Sequence, residues 1–363
     1  MVDKKMVLPV VEPPITTFPG YANTLAILFN YEKSLDWVYS HYLQIYVSDS
    51  DERTKDFIPC STFFLDFDIR KIGTLLHDGS ILRHDWCPYL YIHEMPSELL
   101  KALGFSYETA FKHSIDLHNY LYMYLDVSKI KEYGRSEEML HCVFIYGYDD
   151  SERVFYFADF PNSPSGKYNF SKCTYHEIEA AMQNSHNVNP PFGNTIAMIK
   201  YAEDIRSFTF DFDYLRETVK SYVSPDKDTE IKFNKYLTAF ISAGWKMKSY
   251  IGSNVYDYLI RIITFDPMIG RDNIDARPFH GMYDHKVMML KRFEYLYNKG
   301  YIDEEKFKIS RVYEKVRDDC LKVRNMIIKY NITKRKSILD KIPQLLDNTK
   351  NLDVELLSDI FEI

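Results

Sequence analysis

Cysteine is scarce and scattered in this chain. Cys60, Cys87, Cys142, Cys173 and Cys320 form an odd set with no C-x-x-C pair and no metal-type spacing. That excludes a disulfide framework and a legible zinc site, and predicts reduced thiols in a cytoplasmic protein. Long apolar runs are missing as well: none approaches the ~20 residues needed to span a bilayer. The opening MVDKKMVLPVVEPP lacks the apolar core of a signal peptide, so no membrane association is expected. Basic residues are outnumbered, with 45 Lys and Arg against 52 Asp and Glu for a formal charge of -7. With no long basic stripe to neutralise phosphates, a nucleic-acid partner is not expected, and Lys334, Arg335 and Lys336 read as a solvated cluster at a helix start.

Aromatic residues are in excess, with 30 Tyr and 24 Phe among 363 residues. A chain of this length exceeds one ordinary core and suggests two domains, or one with a large extension. Residues 1–19 are rich in proline and β-branched residues and predict an extended lead-in. Gly20 then opens a buried helix through Leu25, Leu28 and Phe29, and a second helical pattern covers residues 34–46. Residues 61–68 suggest a short strand, the Pro-bounded stretch 86–96 another short strand or an irregular segment, residues 94–102 and 107–118 helices, and residues 128–138 a loop near the central hairpin. Thr174 with Glu177 three residues on is a capping box opening a helix over 174–183, and residues 195–201 form a closing strand. Helices first and strands in the middle give an α+β order, not alternating βαβ units. From about Ile205 helical spacing dominates, in segments 213–223, 228–249, 254–264, 275–298, 303–329 and 337–348. The expected division is a domain of residues 1–204 followed by an all-helical domain of residues 205–363.

The stretch that carries chemistry is MLHCVFIYGYDDSERVFYFADF, residues 139–160. Residues 143–146 and 154–157 are two β-favouring runs around a polar turn, a hairpin with His141 at one end and Asp159 at the other. Parity sets the register. A three-residue loop, Asp149 to Ser151, pairs Tyr148 with Glu152 and puts His141 directly opposite Asp159; a two-residue loop puts them on opposite faces. On one face, the carboxylate can orient the imidazole and stabilise its protonated form. The bland alternative is a half-buried hairpin whose His and Asp satisfy each other.

A buried helix entered at Gly20, then His141 ahead of YGYDD, then Asp159, resembles the papain-like architecture. There a nucleophilic cysteine sits at the start of a central helix, and the histidine and its orienter lie on neighbouring strands. The hairpin is similar to that of the bacteriocin-processing peptidase clan and its natural-product branch, the butirosin-biosynthesis H-type acyltransferases. These move an acyl group from a carrier-protein thioester to an amine. FPGYANTLAIL, WVYSHYLQ, HCVFIYGYDD and FADF before GKY also resemble hypothetical proteins of nonribosomal peptide clusters, as do YDHKVMML and VRNMIIKYNITK in the helical half. The resemblance covers roughly residues 7–201. It implies a papain-like cysteine-protease fold with an antiparallel sheet and a central N-terminal helix. It also implies no bound cofactor, an acyl or peptidyl carrier protein presenting a phosphopantetheine thioester, and a small amine or peptide as acceptor; the helical half is a candidate homodimer surface. Where it implies the nucleophile, this sequence has Gly20, and residues 13–18 contain no glutamine for an oxyanion hole.

Cys60 is the alternative nucleophile, for which a buried structural thiol is the commoner state. Cys142 must face away from His141 on its strand, Cys87 precedes Pro88 and reads as structural, and Thr24 as inward packing. Tyr146 and Tyr148 read as core aromatics. His113 with His118, and His280 with His285, are spaced by five and share no ligand face. Two functions from different classes follow. One is an acyl or aminoacyl transferase in which His141 is general base, Asp159 orients it, and the activated thioester makes a covalent intermediate unnecessary. The other is a non-catalytic papain-like module that binds a carrier protein or peptide. A peptidase ranks last, for want of nucleophile and amide donor.

Overall fold

The computed structural model describes residues 4–50, 62–65, 87–161, 167–185, 195–227, 247–264 and 273–363. In chain order the first elements are β1 (Lys5–Val7), α1 (Pro19–Leu28), α2 (Glu32–Ser40), β2 (Ile45–Ser50), β3 (Thr62–Leu65), β4 (Leu90–Pro96), α3 (Ser97–Ala102) and α4 (Tyr107–Asp116). There follow β5 (Tyr120–Asp126), β6 (Leu140–Asp149), β7 (Val154–Asp159), β8 (Asn169–Thr174), α5 (Tyr175–Ser185), β9 (Thr195–Tyr201), α6 (Phe212–Val223) and β10 (Met247–Ile251). The remainder is helical, in segments Val255–Thr264, Arg277–Asn298, Glu304–Val312, Glu314–Thr333 and Ile342–Phe361. The architecture is thus α+β with an antiparallel sheet and a largely helical C-terminal part. Among the described residues no helix is long and apolar enough to cross a membrane.

The chain forms two compact units, Met1–Leu35 with Lys71–Phe208, and Asp36–Arg70 with Thr209–Ile363. A single cut after residue 204 therefore does not describe the division, because residues 36–70 belong with the C-terminal segment. Residues 34–46 are not one helix either: α2 ends at Ser40, Tyr42 takes a left-handed φ of 56°, and the β-branched stretch beyond it enters β2.

In the first unit the sheet runs β4-β9-β5-β6-β7-β8, with β1 paired to β6, and every pairing is antiparallel. One face takes α4 and α5, through ring contacts of Phe155 with Phe111 at 5.9 Å and Tyr175 at 4.7 Å. The other carries an aromatic layer in which Tyr120 stacks on Phe144 at 5.5 Å and Phe170 meets Tyr146 at 5.8 Å. Helix α1 starts with Pro19 at its first turn, where a missing N–H costs nothing, and residues 22–28 are buried throughout. The capping box opens α5 as the sequence implies: Thr174 N donates to Glu177 Oε2 at 2.6 Å and Glu177 N to Thr174 Oγ1 at 3.2 Å.

Gly147 lets β1 join the sheet. A Cβ there would stand 2.7 Å from Met6 O and 3.0 Å from Val7 Cα, both backbone atoms that cannot move aside without breaking the pairing. Gly147→Val is expected to cost about 1–3 kcal/mol by overpacking and to release β1. Urea denaturation together with faster proteolysis of the first ten or so residues checks this; unchanged protease resistance would show that β1 is held by something else.

The second unit contains a three-stranded sheet, β10-β2-β3, so it is not all helical. Tyr46 pairs with Ile251 and Ile45 with Leu65. Of the expected helix over 228–249, residues 247–249 are strand, and residues 228–246 lie outside the described residues. Residues 39–43 are held by the helix Arg277–Asn298 through buried main-chain carbonyls. Arg292 Nε donates to Tyr39 O at 2.8 Å, its Nη2 to His41 O, and His285 Nε2 to Leu43 O at 2.6 Å. Burial pushes His285 well below its usual range, so it packs as a neutral core ring. The helical pattern 303–329 is broken at Tyr313, whose hydroxyl turns inward to Asp353.

At the centre of this unit Lys286 and Asp353, both fully buried, form an ion pair at 2.6 Å. Tyr222 and Tyr256 hydroxyls donate to Asp353 Oδ2 at 2.7 and 3.1 Å, and the Tyr313 hydroxyl to Oδ1. Lys286 Nζ lies 4.9 Å from the Tyr222 ring centroid and 5.4 Å from that of Tyr256. Burial and the Asp353 charge push all three phenols well above their usual range, which keeps them as donors.

Candidate functional site

The hairpin β6–β7 forms, but not in the expected register. Asp149 pairs with Val154, leaving a four-residue turn, Asp150 to Arg153, and Tyr148 lies opposite Phe155 rather than Glu152. Continued unbroken, an even turn would put His141 and Asp159 on opposite faces. It does not continue unbroken: the pairing shifts between Ile145 and Gly147, so Tyr146 is the extra residue of a β-bulge. Beyond the bulge Phe144 is opposite Ala158. Parity is restored, and His141 and Asp159 share a face as diagonal neighbours instead of a direct pair. The signal for this was a glycine, Gly147, inside a strand pattern, which marks a bulge or a close backbone approach.

His141 Nδ1 donates to Asp159 Oδ2 at 2.6 Å, with the imidazole 27% exposed and the carboxylate 0%. The same Oδ2 accepts the hydroxyl of Tyr133. Tyr133 lies in the expected loop after β5, which is built of two short 3-10 turns at Val127–Lys129 and Lys131–Tyr133, and its ring stacks on Phe157 at 6.0 Å. Nothing in its sequence context marked it. Asp126, at the end of β5, pins this loop by accepting Ser128 N at 3.1 Å and Met139 N at 3.1 Å. Asp159 Oδ1 is buried with no hydrogen-bond partner among the described residues.

Burial alone would lower the His141 pKa, but the hydrogen bond and charge of Asp159 outweigh it and leave it above the ordinary 6.5. For Tyr133, burial and the neighbouring carboxylate act in the same direction and hold the phenol protonated. The arrangement is an imidazole fixed through Nδ1 by a buried carboxylate that a tyrosine also holds. With Nδ1 held in this way, the second ring nitrogen is the one left to exchange a proton.

Among the described residues, the side chain of none of the others singled out from the sequence is hydrogen-bonded to this pair. Through the pairing of β5, β6 and β7, His141 and Asp159 face the side that carries α4 and α5. Helix α1 approaches the opposite side, where Tyr168 donates to Asn23 Oδ1 at 2.7 Å. A chain of rings joins α1 to the pair around the end of the sheet. There the Phe160 ring lies 6.5 Å from His141 and 5.4 Å from Tyr168. Cys142 faces away from His141 as expected, hydrogen-bonded to Tyr122 and Tyr124, and burial pushes its thiol up to about 11, so it is no thiolate at neutral pH. Cys87, Cys142, Cys173 and Cys320 are in no disulfide. Cys87 and Thr24 are buried, as are Tyr146 and Tyr148. Cys60 lies outside the described residues.

No protein-family model matches the chain, and no curated protein matches it.

Proposed function

We propose that the protein is an acyl or aminoacyl transferase in which His141 is the general base, oriented by Asp159 and Tyr133. The donor is an acyl group held as a thioester on the phosphopantetheine arm of a carrier protein, and the acceptor a small amine or peptide. The supporting observation is the His141–Asp159 hydrogen bond at 2.6 Å, with the carboxylate buried and the ring partly exposed. A thioester is already activated. A base that takes the proton of the attacking amine can therefore complete the transfer without a covalent enzyme intermediate, which removes the need for a thiolate where the chain has Gly20. The amine nitrogen bonds to the thioester carbon, its proton passes to His141 Nε2, the carbon–sulfur bond breaks, and the departing carrier thiolate takes that proton back from His141.

A non-catalytic papain-like module that binds a carrier protein or peptide is the second candidate. It is favoured by Gly20 standing where the resemblance implies the nucleophilic cysteine. It predicts that a loaded carrier protein binds and never turns over.

Single-turnover amide formation from a loaded carrier protein, followed across pH, separates them. A base must be neutral to act, so the rate rises through a pKa above 6.5, and Asp159→Asn, which removes the group raising it, moves that limb down. The stability contribution of the pair runs the opposite way. It is fully present below the unfolded histidine pKa and is lost as pH rises through the raised folded value. A flat profile, or one that Asp159→Asn leaves in place, would remove His141 from the chemistry.

A further inference from the structure

The helix Glu314–Thr333 is apolar on two opposite faces. Val316, Cys320, Val323, Ile327 and Tyr330 point into the second unit and are buried. On the outside Leu321, Asn325, Ile328 and Ile332 recur at alternating four- and three-residue intervals, the a/d pattern of a coiled-coil seam. Ile332 is 77% exposed and Ile328 37%. Exposed β-branched residues are poor helix formers and gain nothing here by burial. Asn325 occupies an a position in the middle of the stripe, where a buried polar residue specifies a helical partner and its register. Asp318, Leu321, Lys322, Asn325, Met326 and Lys329 line a shallow groove along the same side.

Charge identifies the partner. Lys322 and Lys329 flank the stripe at e positions, both exposed and without an ion pair among the described residues, and the exposed Arg335 and Lys336 follow the helix in sequence. On the other flank Arg317 is tied to Asp318 at 2.8 Å. The patch is basic on a chain whose net charge is -7. A second copy would set Lys322 and Lys329 against like charges: against Arg317 and Arg324 in a parallel pair, and against each other in an antiparallel one. A bilayer would desolvate Asn325 with no partner for its amide.

We propose that this face docks an acidic amphipathic helix of a partner protein. The helix places Leu or Ile against Leu321, Ile328 and Ile332, a polar residue against Asn325, and carboxylates beside Lys322 and Lys329. The interaction is independent of the chemistry proposed for His141.

The test uses the full chain and a three-heptad peptide with Ile and Leu at a and d, one Asn at the central a position and Glu at e and g. The expected result is saturable binding at least about tenfold tighter than that of the same peptide with Lys at e and g, and weaker in high salt. Ile328→Glu with Ile332→Glu abolishes it, and Lys322→Glu with Lys329→Glu inverts the preference between the two peptides. These positions are on the surface, and circular dichroism checks that the variants stay folded. Equal binding of both peptides, or no binding, overturns the proposal. So does concentration-dependent dimerisation that the Ile328 and Ile332 variants remove, or tighter binding to phosphatidylglycerol vesicles than to the Glu peptide.

Discussion

Replacing His141 by Gln is expected to lower the rate of amide formation from a loaded carrier-protein thioester by about 10²–10⁴-fold, the usual contribution of a positioned general base. Glutamine keeps a donor for Asp159 Oδ2 but has no basic nitrogen, so a loss of this size reports proton transfer and not the hydrogen bond to the buried carboxylate. In the proposed transfer the loss belongs in kcat, because there the base acts on the attacking amine and not on carrier-protein binding. Tyr133→Phe is the companion variant. It removes one of the two donors to Asp159 while leaving the stacked ring over Phe157, and its effect should be smaller and should alter the pH profile. An unchanged single-turnover rate in His141→Gln would leave the pair as a structural contact and favour the binding module.

The second large effect is on stability. Asp353→Ala is expected to cost about 3–5 kcal/mol, the penalty for stranding a buried charge. The variant leaves the Lys286 ammonium without its carboxylate, and Tyr222, Tyr256 and Tyr313 without their acceptor. The double variant Lys286→Met with Asp353→Leu should recover much of the loss, because replacing both members of a buried pair by apolar groups of similar volume is often neutral. Urea denaturation of the single and double variants measures both. A double variant no more stable than Asp353→Ala would show that the three phenols, not the ion pair, dominate the cost.

The two effects differ in how visible their residues were. His141 and Asp159 could be picked out because each ends a short β-favouring run, and period-2 alternation ties their faces to the turn between them. The face itself was decided by Tyr146, whose bulge reverses the parity that the turn length alone would give. Tyr133 is legible only in three dimensions, since it reaches Asp159 from a separate loop. Lys286 and Asp353 lie 67 residues apart on two amphipathic helices, and no local pattern pairs them.

By itself the sequence determined what local physics controls. Pro19 and Gly20 open a helix, Thr174 and Glu177 cap another, two β-favouring runs with a polar turn make a hairpin, and the C-terminal segments take helical spacing. Each depends on contacts a few residues apart, where side-chain chemistry and backbone preference suffice. Tertiary structure alone decided that residues 36–70 join the C-terminal unit, because Arg292 and His285 hold carbonyls some 250 positions away. It also decided that His141 and Asp159 face α4 and α5 while α1 lies against the other side. Those outcomes follow from which surfaces bury one another, a choice made by the whole chain at once and written in no single stretch of it.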